Sequence, residues 1–362
     1  MRSTLATLAL CLAPLACSSA CSSQATSGAT TTDAGAPSTR EGGGPDGGGQ
    51  GGGGPDGGQG GGAEGGATFD ASALPSLPTI TGAGRFAIPG RADDAIEVVL
   101  PANRAPSPPL LIVFHGTSGE PANAVADFDL VAKAEALGFV AIAPRAGYRG
   151  SPHPPDVDHP ADSGESSWNM WTASPAANED LVYVRALIEA ARRSWGADVT
   201  RVYTAGFSNG AFFSYFVAAS MPEQVAGFAA MSAGWTTDAC PTRTSTDGTS
   251  QFLMTTDAPA GQDMTCATLF ADAQFPSQCR VTATNKLRPP AQGARVPFGY
   301  VGHYSLDDTV SVAWSCLLAE GLGARVQTRL RAKEADGTTG HTVMPDFLAG
   351  AFATFGGRTN AQ

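Results

Sequence analysis

The chain is poor in basic residues. Its 22 Lys and Arg stand against 33 Asp and Glu, a net charge of −11, and they form no lysine- or arginine-rich stripe. Without such a stripe there is little to neutralise a phosphate backbone, so nucleic acid is not expected as a partner. No C-x-x-C pair occurs among the seven cysteines, which argues against a structural zinc site. Neither metal nor organic cofactor is expected. Histidine is scarce as well, at five residues. The early apolar run "LATLALCLAPLA" is too short to span a bilayer. Residues 42–66 lack any aromatic or β-branched side chain and are mostly glycine. Such a segment buries too little apolar surface to offset its ordering entropy and reads as a solvated tether.

With Arg2 as the only early charge, the apolar run reads as an export signal. "LAC" and "SAC" place Cys17 and Cys21 after small residues, similar to bacterial lipoprotein signals, in which a cysteine becomes the lipidated first residue. Pro14 and Ser18 stand at position −3 of the two sites, and a simple secretory peptide is the alternative. Either reading takes the protein out of the cytoplasm, as a secreted protein or a bacterial cell-surface or outer-membrane lipoprotein. A lipid anchor would be its only membrane contact. The expected division is a signal over 1–21, a disordered linker over 22–75 and a catalytic domain over 76–362. The last, roughly 290 residues, suits one monomeric domain. It holds Cys240, Cys266, Cys279 and Cys316, an even number that in an exported domain favours disulfides with three pairings open.

Along this domain "RFAIPG" and "AIEVVLP" predict an opening hairpin. "PPLLIVFHG" and "GFVAIAPRA" are continuous apolar runs, as in strands buried on both faces. "NEDLVYVRALIEAARRSW" has Leu181, Val184, Leu187, Ile188 and Ala191 at helical spacing, with Asn178 as N-cap. Strands are predicted at "TRVYTAGFS", "GFAAMSAGW", "VPFGYVGHYS" and "ARVQTRLRA". Helices follow them at "GAFFSYFVAASM", "VSVAWSCLLAEGLG" and "DFLAGAFATF". The alternation predicts an α/β fold, a mostly parallel, doubly wound sheet with helices on both faces and its ligands at the strands' carboxyl ends. Residues 238–295 break the pattern, carry three of the four cysteines and read as a disulfide-pinned cap or lid.

"TAGFSNGAFF" sets Ser208 between Gly206 and Gly210 at G-x-S-x-G spacing, with strand before and helix after. A serine hydroxyl needs a base to take its proton and an acid to orient that base. On a strand-to-helix elbow these follow in the order acid, then histidine. "HYSLDDTVSV" supplies Asp307 or Asp308, and "TTGHTVMPDF" supplies His341. His303 is the rival base, but it lies upstream of the aspartates. "VFHGTSG" places Thr117 after a His-Gly turn, so its backbone N–H and that of Asn209 are the candidate oxyanion donors.

"FHGTSG", "GFSNGA", "HYSLDDTV" and "GHTVMP" together resemble the extracellular α/β-hydrolase esterase family of polyhydroxybutyrate depolymerases, feruloyl esterases and acetylxylan esterases. The resemblance covers roughly residues 84 to 355. It implies a serine esterase in which Asp307, three before a valine, is the acid. "SSWNMW" is similar to the family's aromatic stretch near the cleft, which implies that Trp168 or Trp171 stacks on a sugar or an aromatic acyl group. Three departures fall around the rim: Tyr304 where the family has glycine, Val343 where it has tryptophan, and extra length between the sixth and seventh strands. The expected reaction is hydrolysis of feruloyl or acetyl esters of plant polysaccharide, with polyester as the alternative substrate. A non-catalytic surface binding lipoprotein is the reading from another class.

Overall fold

A computed structural model describes residues 77–88, 95–147, 166–170, 178–234, 243–244, 250–251, 260–271 and 298–360. The expected export signal and tether, Trp171, Cys240, Cys279 and most of 238–295 lie outside these residues.

The chain opens with the antiparallel pair β1 (Gly84–Ala87) and β2 (Ala95–Val99), the expected hairpin. There follow β3 (Pro109–Phe114), the short helices α1 (Pro121–Asp127) and α2 (Leu130–Leu137), β4 (Val140–Pro144), α3 (Glu179–Trp195), β5 (Asp198–Phe207), α4 (Asn209–Ser220) and β6 (Gly227–Met231). β7 (Arg243–Thr244) and β8 (Ser250–Gln251) pair only with each other, followed by β9 (Asp263–Met264) and α5 (Cys266–Ala271). The chain closes with β10 (Phe298–Tyr304), α6 (Val312–Leu322), β11 (Val326–Arg331) and α7 (Phe347–Phe355).

Nine strands form one sheet in the order β1-β2-β4-β3-β5-β6-β10-β11-β9. The run from β4 to β11 is parallel throughout, and β1, β2 and β9 join it antiparallel at the edges. Apolar layers cover both faces. Leu110, Ile112 and Phe114 point into one layer with α3 and α4, while Leu111 and Val113 point into the other with α2 and α7. This two-residue alternation is the pleat of the strand, and it explains why β3 and β4 read as unbroken apolar runs.

α3 starts where its sequence says it should. The Asn178 Oδ1 accepts from the N–H groups of Asp180 and Leu181, Glu179 and Asp180 fill the first turn, and Gly196 closes the helix at φ 66°. α1 and α2 were not anticipated. Each spans at most eight residues, and they meet at Asp129, whose φ of 47° is unusual for a residue with a side chain.

Within 238–295, the described residues 260–271 build an edge of the sheet. β9 pairs with Leu330 and Arg331 of β11, and Cys266 is bonded to Cys316 of α6. That selects one pairing for two of the four domain cysteines.

Candidate active site

Ser208 stands between the last residue of β5 and the first of α4 with φ 54° and ψ −126°. Such a backbone costs energy and persists only where its surroundings impose it. The Ser208 N–H donates to the Met231 carbonyl on the neighbouring strand at 3.0 Å. The flanking glycines allow strand and helix to approach closely. A Cβ on Gly206 would lie 2.1 Å from the Gly210 carbonyl oxygen, and one on Gly210 would lie 2.2 Å from that of Phe114. A Cβ on Gly116 would meet the Ser208 Cβ at 3.4 Å, so the His-Gly turn borders the serine.

On the loop leaving β10, the Asp307 carboxylate is fully buried. Its Oδ1 accepts from the N–H groups of Thr309 (2.9 Å) and Val310 (2.8 Å). Its Oδ2 lies 2.8 Å from His341 Nδ1 and 3.3 Å from His303 Nε2. Burial pushes this carboxyl up, but the hydrogen bonds and charges of His303 and His341 outweigh it and hold it well below the usual carboxylate range. Asp308, by contrast, is exposed and accepts from the Thr309 hydroxyl.

His341 lies on the loop between β11 and α7, with its side chain 18% exposed. Its ring packs on that of Phe207, the residue before Ser208, at 4.5 Å between centroids. With Nδ1 committed to Asp307, Nε2 is the nitrogen left for chemistry. His303 has no such nitrogen: it is completely buried, with Nδ1 2.7 Å from the Ser315 hydroxyl and Nε2 2.8 Å from the Val310 carbonyl. Tyr304, on the opposite face of β10, is buried and donates to Glu334.

Beside the serine, His115 is 2% exposed, its Nδ1 donates to the Gly116 carbonyl (2.7 Å), and its Nε2 accepts from the Ala146 N–H (3.0 Å). An amide N–H only donates, so Nε2 is unprotonated. Burial lowers the pKa of this imidazole to about 4. The turn is completed by Gly119 N–H on the Gly116 carbonyl (3.1 Å) and by Ser118, at φ 57°, donating to Ser166 (2.8 Å). Thr117 lies within it. Asn209 opens α4, where helix geometry leaves the first N–H groups without intrahelical acceptors.

The expected stacking of Trp168 on substrate is corrected by its surroundings. Trp168 is fully buried, stacked on Phe213 (5.0 Å) and edge-on to Phe114 (4.8 Å), and its indole N–H donates to the His115 carbonyl at 2.9 Å. Neither ring face is open. Trp168 instead belongs to a strap, residues 166–170, that supports the turn. The Trp168 N–H donates to Asn209 Oδ1, the Asn169 N–H donates to Asp180 Oδ2, and the Asn169 carbonyl accepts from Asn178, each at 2.8 Å. Sequence reading assigned Asn209 only its backbone N–H and Asn178 only its cap. The burial of these amides was the missing clue, and no local spacing encodes it.

Behind the histidine loop lies a cavity of about 390 Å³ lined by Val343, Met344, Phe347, Phe128 and the ion pair of Lys133 with Asp346. Among the described residues no group of three or more His, Cys, Asp or Glu side chains converges on a metal position, and no helix is long and apolar enough to cross a membrane.

No family model matches the chain. A stretch of 134 residues is 28% identical to a bifunctional acetylxylan esterase/xylanase of Neocallimastix patriciarum, covering 37% of this chain and 17% of that protein. Among solved structures, an acetyl xylan esterase from Aspergillus awamori aligns over 77% of this chain and 98% of its own at 17% identity, with a TM-score of 0.46. One from Paenibacillus sp. R4 aligns over 73% and 79% at 16% identity and 0.43. An S-formylglutathione hydrolase from Agrobacterium tumefaciens aligns over 73% and 89% at 18% identity and 0.43. On its own strand order, parallel core and strand-to-helix elbow, the chain has the α/β-hydrolase fold.

Proposed function

We propose that this chain is an exported serine esterase that hydrolyses carboxylic esters through an acyl-enzyme. The observation that carries the reading is the 2.8 Å contact of His341 Nδ1 with Asp307 Oδ2, made by loops at the carboxyl ends of two adjacent strands, with the His341 ring against Phe207 beside the strained Ser208. In this mechanism the Ser208 hydroxyl attacks the ester carbonyl and passes its proton to His341 Nε2. Asp307 holds the imidazole in the required tautomer and stabilises its cation. The N–H groups of Thr117 and Asn209 bind the developing oxyanion, the latter helped by the positive end of α4. His341 then protonates the leaving alcohol, and a water activated by the same histidine hydrolyses the acyl-enzyme.

Acetyl esters of plant polysaccharide are the favoured substrates, because the matching relative is an acetylxylan esterase/xylanase. Feruloyl esters and aliphatic polyesters are the competing classes. A glycine-rich tether behind a lipidated Cys17 or Cys21 would let such an enzyme reach an insoluble polymer from a cell surface. Ser208→Ala is expected to lower hydrolysis of p-nitrophenyl acetate by several orders of magnitude and to abolish labelling by a fluorophosphonate. Retained activity would refute the assignment. No labelling of the unsubstituted protein would favour a non-catalytic binding role. Acetate release from acetylated xylan, compared with ferulate release from methyl ferulate and clearing of a polyhydroxybutyrate suspension, ranks the substrates.

A further inference from the structure

The triad as proposed leaves one buried histidine without a role. We infer that His303 is protonated on both ring nitrogens in the folded enzyme, so that a buried imidazolium shares the Asp307 carboxylate with His341 and thereby positions and tunes the base. The inference rests on the esterase reading for its effect on rate, but not for the charge itself.

The hydrogen-bond partners of His303 carry it. Nε2 faces the Val310 carbonyl at 2.8 Å and Asp307 Oδ2 at 3.3 Å, and both are acceptors only, so Nε2 bears a hydrogen. Nδ1 faces the Ser315 hydroxyl oxygen at 2.7 Å. The single hydrogen of that hydroxyl is already donated to the Ala233 carbonyl. Ser315 therefore accepts, and Nδ1 bears a hydrogen too. In the competing arrangement Ser315 turns its hydrogen toward a bare Nδ1. Its oxygen would then rest within hydrogen-bond distance of the Ala233 oxygen with no hydrogen between them, and the buried Ala233 carbonyl would lose that hydrogen bond. A doubly protonated ring satisfies every group at once, and Asp307 supplies the countercharge that a buried cation requires.

The other charged groups nearby do not compete. Tyr304, Arg331 and Glu334 associate on the opposite face of β10, because side chains alternate along a strand. Asp308 is exposed, and α6 presents Ser315 here, with its Glu320 exposed to solvent. Among the described residues, Asp307 is thus the charged partner of His303, and it links that ring to His341.

A fixed positive charge on the shared carboxylate disfavours a second one on His341. His303 thereby sets how much of the Asp307 charge is left to act on the base. His303→Gln keeps a side-chain donor but removes the charge. It is expected to move the acidic limb of the kcat/KM–pH profile upward by about one unit or more, while the plateau falls less than about tenfold. An unmoved limb with a lowered plateau would mean a purely structural role and overturn the inference. The direct readout is the ring ¹⁵N spectrum of His303 in the unsubstituted enzyme at pH 8, assigned by its loss in His303→Gln or, should that variant not fold, by its couplings to neighbouring spins. Two N–H signals support the imidazolium, and one N–H with one bare nitrogen overturns it. Should the unsubstituted protein show neither esterase activity nor fluorophosphonate labelling, the esterase reading fails, and the nitrogen spectrum still decides the charge.

Discussion

Acidification is expected to destabilise the fold specifically through His115. In the native protein its Nε2 accepts from Ala146 N–H at 3.0 Å, and a proton added there would set two donors against each other. Burial accordingly lowers the pKa from the ordinary 6.5 to about 4. The sign follows from proton uptake: below pH 6.5 the unfolded chain takes the proton first, so this stabilisation is complete near neutrality and is lost as pH falls toward 4. A shift from 6.5 to about 4 corresponds to about 3 kcal/mol, most of it gone by pH 4.5. Urea unfolding of the native protein and of His115→Gln, at half-unit steps from pH 7 to 4.5, measures it. At pH 7 the variant should be weaker by about 1–2 kcal/mol for its lost hydrogen bond. Titrating carboxylates lower both proteins alike, so the difference isolates His115. Over the steepest interval the native protein should lose up to about 1.4 kcal/mol per pH unit more than the variant. Equal slopes would refute the assignment of a neutral, clamped His115.

Three further outcomes follow from packing. Gly210→Ala drives a Cβ to 2.2 Å from the Phe114 carbonyl oxygen and should cost more than about 4 kcal/mol or abolish soluble expression; thermal unfolding within a degree or two of the native protein would contradict the elbow geometry. Trp168→Phe should cost about 1–3 kcal/mol through the lost bond to His115 and the space left behind, with KM for p-nitrophenyl acetate unchanged. A raised KM at unchanged stability would return the ring to the substrate. Replacing both Cys266 and Cys316 by serine opens a link of sequence separation 50 and should cost about 4 kcal/mol in urea unfolding; an unchanged midpoint would remove the staple.

Much of this architecture was legible because its signals are local. Unbroken apolar runs marked β3 and β4, Asn178 with two acids marked the start of α3, and the glycines around Ser208 marked the elbow. The preference for Asp307 over Asp308 also came from local spacing and the family resemblance, and it is Asp307 that touches His341. What escaped was set by tertiary context. α1 and α2 are too short to establish a period. The burial of Trp168 depends on Phe114 and Phe213, rings 54 and 45 positions away in the chain. The acceptors that bear on the protonation of His303 lie on α6 and after β6, and no motif joins them.

The strap has a consequence for which positions are free to change. Its main chain contributes the Ser166 carbonyl, the Trp168 and Asn169 N–H groups and the Asn169 carbonyl to bonds that hold it. The side chains that grip it belong to Asn209, Asp180 and Asn178, at the starts of two helices. Mutational constraint should therefore extend from the strap to these holders. The amides and carboxylate of the holders are fixed by main-chain groups that every residue possesses, while Trp168 and Met170 tie the strap down by burial in the core. Substrate preference can then diverge at the rim while the turn beneath it stays constant.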